Sequence, residues 1–156
     1  MLLSRPAQGG FTLLELVVVL AIMAMASVLV IPSIRSGTKQ REVRRTVQRF
    51  VAAARAGSSK AIRERKRTGL VLDLRAGYFG VQGNSRRVEL PEFASFGDIS
   101  GGHAEDEGSK FVFEFYPTGA SSGGSVELVF ETVARRQSYM LTLDPLLSTV
   151  GIEEQQ

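Results

Sequence analysis

Gln8-Gly9-Gly10-Phe11-Thr12-Leu13-Leu14-Glu15-Leu16-Val17-Val18-Val19-Leu20-Ala21-Ile22-Met23 is the stretch on which the reading of this chain turns. One carboxylate, Glu15, interrupts an otherwise apolar run that continues to Ile31, with Thr12 and Ser27 as its other polar residues. A helix over residues 11–31 would be about 31 Å long, the length of one bilayer crossing. A charge inside such a span costs roughly 2.5–3.5 kcal/mol at the bilayer centre and less near an end, so it is read by default as functional.

Working outward, the chain has 156 residues, 44% hydrophobic and 22% charged, which suits one domain plus an appended element. The 19 Lys and Arg against 16 Asp and Glu leave a net charge of +3, far short of a dedicated nucleic-acid binder. There is no cysteine, which removes disulfide frameworks, thiol catalysis and zinc ribbons. A cleavable secretory signal has some support from Arg5 and from Ala24-Met25-Ala26 ahead of Ser27. Against it, Glu15 would fall in the signal's apolar core, and the apolar run persists through Val28-Leu29-Val30-Ile31.

Processing between Gly10 and Phe11 leaves the apolar run on the mature protein as anchor and assembly element. Gly10-Phe11-Thr12-Leu13-Leu14-Glu15 resembles the processing motif of type IV pilins and pseudopilins. The resemblance implies a leader, residues 1–10, removed by a prepilin peptidase on the cytoplasmic side, with methylation of the new N-terminal Phe11. Glycine suits the cut because it presents no side chain to a protease cleft. The free amine of Phe11 is then a cation, and Glu15 lies about 6 Å further along the helix. The resemblance implies that Glu15 meets the amine of a neighbouring subunit and sets axial register, as intramembrane charges persist when paired. A tolerated interfacial carboxylate is the plainer alternative.

Pro32 is expected to kink or loosen the helix after the span 11–31. Residues 32–68 are expected to continue as an amphipathic helix, with Val43, Val47, Phe50, Val51, Ala54, Ala61 and Ile62 in one apolar stripe. Its other side is basic, from Lys39 to Arg67, and is read first as a solvated surface and second as a contact for lipid headgroups. Six cations follow the span within residues 32–49, against Arg5 before it, so the positive-inside rule alone would place the C-terminal part in the cytoplasm. The resemblance implies the reverse, because the peptidase needs the leader in the cytoplasm, and the expectation follows it: a single-pass inner-membrane protein with its C-terminal domain in the periplasm.

From Gly69 the period becomes two. Leu70, Leu72 and Leu74, a turn at Gly77, Tyr78–Val81, then Phe111–Phe115, Val126–Glu131 and Tyr139–Leu143 read as strands, with Thr149–Ile152 as a short last one. The expected fold is therefore α+β, a long N-terminal helix on antiparallel sheet over 69–156, and the resemblance makes it pilin-like. Gly119–Ser125 lacks a P-loop lysine and reads as a flexible strand-to-strand connection. His103-Ala104-Glu105-Asp106-Glu107-Gly108 lacks EF-hand spacing and reads as a solvated loop. Neither a catalytic set nor a metal or cofactor site is expected.

Phe113-Glu114-Phe115-Tyr116-Pro117-Thr118-Gly119-Ala120-Ser121-Ser122-Gly123-Gly124, with the later Leu141-Thr142-Leu143-Asp144-Pro145, resembles the minor pseudopilin family called general secretion pathway protein H. That family implies a place near the tip of a periplasmic pseudopilus in type II secretion, with major and other minor pseudopilins as partners and no nucleic acid. The glycine-arginine turn usual there is replaced by Leu146-Leu147-Ser148-Thr149. The alternatives are a minor type IV pilin of pilus assembly or DNA uptake, whose relatives tend to carry cysteines and a basic end, and a single-span anchored envelope enzyme.

Overall fold

The computed structural model describes residues 12–132 and 135–155, with the side chains of 26–37 outside that set. Among the described residues an α-helix, α1, runs from Leu13 to Glu64, and nine strands follow. Pro32 lies within its bounds and does not end the helix; the local loosening expected there falls among residues whose side chains lie outside those described. The chain divides into two compact units, Met1–Arg41 and Glu42–Gln156.

The second unit is built on the C-terminal part of α1 and two antiparallel sheets. Strands β1 (Thr68–Asp73), β2 (Tyr78–Val81), β3 (Arg87–Glu89), β5 (His103–Glu105) and β6 (Lys110–Phe115) form the first sheet, in the order β3-β2-β1-β6-β5. Strands β4 (Ala94–Gly101), β7 (Gly124–Glu131), β8 (Arg136–Leu143) and β9 (Val150–Gln155) form the second, in the order β4-β7-β8-β9. The architecture is α+β with antiparallel sheets, consistent with a pilin-like fold.

Alternation places the core. Leu70 faces Val81 on one side and Phe113 on the other, and Leu72 faces Phe79 and Phe111, so one face of the first sheet is aliphatic and aromatic. Val126 opposite Leu141, and Leu128 opposite Tyr139, supply the second sheet's inner face. Val43, Val47, Phe50, Ala54 and Ala61 of α1 are buried in one cluster with Leu70, Leu72, Phe79 and Phe113 of the first sheet and Val126, Leu128 and Leu141 of the second. Ile62, expected in that stripe, is instead 50% exposed, and Val51 is half-buried. Thr46 and Gly57 occupy the buried face as well: Thr46 returns its hydroxyl to the Glu42 carbonyl at 3.0 Å, which lets a polar residue sit there. Gly57 lets the helix approach the first sheet, since a Cβ there would lie 2.7 Å from the Phe115 ring.

Three strands were absent from the sequence reading. β3 and β5 have three residues each, too few for a period to show. β4 is interrupted by a register shift between Phe96 and Ile99, which breaks its alternation. The stretch expected as one solvated loop is thus partly strand: His103–Glu105 pairs with β6, and a 3-10 turn, Asp106–Gly108, follows. The Lys110 ammonium holds that turn by its ion pair with Asp106, which keeps the Asp106 carboxyl below its usual range and the lysine above its own.

The expectation of a flexible connection at Gly119–Ser125 is also corrected. Ser121 is buried, donates its hydroxyl to the Asp144 carbonyl at 2.9 Å and takes the Gly123 amide at 3.1 Å. The Ser122 hydroxyl accepts the Glu114 amide at 3.1 Å, while the Ser122 amide donates to the Glu114 carbonyl at 2.8 Å. Short hydroxyl side chains close onto nearby backbone, so this serine-rich segment ties β6 to the β8–β9 turn.

Candidate functional site

Gly10 and Phe11 lie outside the described residues. Thr12 and Glu15 lie within them and are joined: the Glu15 amide donates to Thr12 Oγ1 at 3.2 Å, and the Leu16 amide donates to the Thr12 carbonyl at 3.2 Å. Thr12 is therefore the N-cap of α1, with Glu15 at the third helical position. The acidic residue in the first turn also suits the positive end of the helix dipole. This local role was missed in the sequence reading, although Thr-x-x-Glu before an apolar run is the capping-box signature. Among the described residues the Glu15 carboxylate has no recorded ion-pair partner, which leaves it available to a group on another chain.

Around Glu15 the helix is apolar on every side. Leu13 is 80% exposed, and even Val19, the least exposed large residue of Leu13–Met25, is 46% exposed. A helix that is apolar all round has to be covered by lipid or by other helices. Among the described residues no helix is long and apolar enough to cross a membrane. The expected span extends past residue 25 into the residues whose side chains are outside that set.

The basic side of α1 is open to solvent at Arg41, Arg44, Arg45, Arg49, Arg55 and Arg63. Lys60 is drawn down to donate to the Gln82 carbonyl at 2.8 Å, and Arg67 stacks over the Tyr116 ring at 5.4 Å. His103 Nε2, exposed on β5, lies 3.7 Å from Glu114 Oε2 of β6, which is partly buried, and Tyr116 donates its hydroxyl to the same carboxylate at 3.2 Å. No group of three or more potential metal ligands occurs among the described residues.

Residues 5–31 match the family described as Prokaryotic N-terminal methylation motif. The match supports a pilin- or pseudopilin-type protein. It takes in Arg5 of the leader, both sides of the Gly10–Phe11 bond, Thr12, Glu15 and the whole apolar run. The motif implies processing by a prepilin peptidase and assembly with other pilin-like subunits, and suggests a membrane-anchored protein facing the periplasm. No curated protein and no solved structure matches the chain.

Proposed function

We propose that this chain is a minor pseudopilin of type II secretion, a non-catalytic subunit at or near the tip of a periplasmic pseudopilus. The observation that carries the reading is the methylation motif, in which Glu15, the one charged residue of the apolar run, stands in the first turn of an all-round apolar helix with its carboxylate open to a partner. In this reading Gly10 is the last residue of the leader and Phe11 the mature, methylated N-terminus. The apolar run is a single inner-membrane span, and Glu15 pairs with a neighbour's amine. The narrower assignment rests on the resemblance of Phe113–Gly124 and Leu141–Pro145 to general secretion pathway protein H, two segments that are hydrogen-bonded to one another through Ser121.

The open arginine face of α1 favours the second reading, a minor type IV pilin of DNA uptake. Electrostatic DNA binding would fall steeply with salt. Gly10→Val tests the processing step: the variant is expected to keep its leader, seen as a larger species on a gel, and normal maturation overturns the pilin-type reading. Deletion of the chain then separates the two systems. Loss of export of folded proteins across the outer membrane is expected, and loss of DNA uptake with export intact selects the second reading.

A further inference from the structure

The turn between β8 and β9 holds two leucines in solvent without serving the fold. Leu146 is 79% and Leu147 73% exposed. Their amides both donate to Asp144 Oδ1 at 2.8 Å, and the Ser148 amide closes on the Asp144 carbonyl at 3.0 Å. Ser148, buried and in the left-handed region at φ 50°, donates its hydroxyl to the Gly119 carbonyl at 2.7 Å. Asp144 and Ser148 thus fix the backbone, and nothing in that bonding requires leucine at the tip; turns of this kind ordinarily carry polar residues there.

Two further features lie beside this tip. Ile62, half-exposed, sits against Gly119, with its Cδ1 3.8 Å from where a Cβ would stand. The Gly119 amide donates to the Tyr116 carbonyl at 3.0 Å, and the Tyr116 ring carries the Arg67 guanidinium. Arg65, Lys66 and Arg67 are consecutive and exposed at the end of α1. The one carboxylate beside them in sequence, Glu64, is taken by Arg63 at 3.8 Å. The exposed leucines therefore stand on a turn bonded to Gly119, which Ile62 touches, and the Arg65–Arg67 run follows Ile62 and reaches Tyr116 beside the same glycine.

We propose that this end of the domain docks on an anionic bilayer surface, with Leu146 and Leu147 entering between acyl chains and Arg65, Lys66 and Arg67 meeting headgroup phosphates. Apolar side chains gain from leaving water at a bilayer boundary, and Lys and Arg gain near its negative surface. A protein partner would need a pocket shaped to the tip, and leucine is under-represented among the residues that dominate protein interfaces. A fluid surface needs no such fit. The contact is separate from the apolar N-terminal stretch and does not depend on the processing reading.

The chain has no cysteine, so one introduced thiol reports a single place. Thr149→Cys, exposed beside the intact leucines, takes an environment-sensitive fluorophore, and Ser95→Cys, at the opposite end of the second sheet, is the control. The labelled full-length protein is mixed with phosphatidylglycerol or phosphatidylcholine vesicles carrying nitroxide on their acyl chains. Quenching at 149 is expected to be about threefold or more stronger on phosphatidylglycerol, to weaken in high salt and to be absent at 95. Leu146→Ser with Leu147→Ser, and separately Arg65→Glu with Lys66→Glu, should each abolish the difference. Equal quenching on both lipids overturns the proposal, as does none on phosphatidylglycerol or a signal indifferent to both pairs of substitutions. A signal that rises with protein concentration in the absence of vesicles also overturns it, by showing contact between copies.

Discussion

Glu15 carries two explanations that one substitution separates. Within its own chain Glu15 donates its backbone amide to Thr12 Oγ1, and glutamine at this third helical position keeps that bond and the capping-box pattern. As a charge partner it needs its carboxylate, and glutamine removes it. Glu15→Gln and Glu15→Val are therefore both expected to leave leader removal and helix content unchanged while lowering crosslinking to neighbouring pilin-like subunits several-fold. If Glu15→Gln crosslinks like the wild type while Glu15→Val does not, the capping role is sufficient and the charge pairing is wrong. The importance of Glu15 was legible in the sequence because a charge in an apolar run stands out. The contribution of Thr12 was overlooked because a threonine near the end of such a run is unremarkable until the hydrogen bond from the Glu15 amide is seen.

Among the elements, α1 was legible from its apolar spacing except where tertiary packing overrode it. Ile62 continues the apolar pattern but is half-exposed, whereas Gly57 has no side chain to register in that pattern and yet brings the helix close to the Phe115 ring. Gly57→Ala is a test of this packing. In an exposed helix alanine gains about 1 kcal/mol over glycine. Here its Cβ would overlap the buried Phe115 ring, and overpacking costs typically 1–3 kcal/mol. The expected net result is destabilisation by about 1 kcal/mol, read as a lowering of Tm by roughly 2–4 °C in thermal unfolding. A rise in Tm would show that the helix is free to move away. The serine-rich connector was misread for a related reason: its composition signals a loop, and only the positions of Glu114 and Asp144 in the fold turn its hydroxyls into clamps.

For the molecule as a whole, the helix-then-strand order and the antiparallel pairing followed from periodicity, while the division into two sheets did not, because three strands were too short or too irregular to be counted. Stability at high pH follows from Tyr139, whose phenol lies against Phe130 at the edge of the core. Burial, with Glu154 adding to it, raises the Tyr139 phenol above its ordinary value of 10.0, so ionisation is harder in the folded than in the unfolded chain. The resulting stability is complete below about pH 10 and is lost as pH rises through the folded value. The raised Lys110 ammonium adds a loss of the same sign in the same window. In an alkaline absorbance titration, Tyr139→Phe should remove ionisation that occurs above the ordinary tyrosine value. Loss of the ionisation at or below that value in the variant would contradict the packing described.

The placement of β4 has a consequence for how the chain is made. It is synthesised between two strands of the first sheet, but its only paired neighbour, β7, begins at Gly124. As the polypeptide emerges from its N-terminal side, the first sheet can close once β6 is available, whereas Phe96 and Ile99 wait with an unpaired ladder until residues 124–131 arrive. For that interval the nascent protein carries a two-sided sticky edge, the kind that recruits chaperones or starts aggregation. Asp98, exposed within that waiting strand, places a charge where another chain would pair, and once β7 has paired the register shift bends the strand as well.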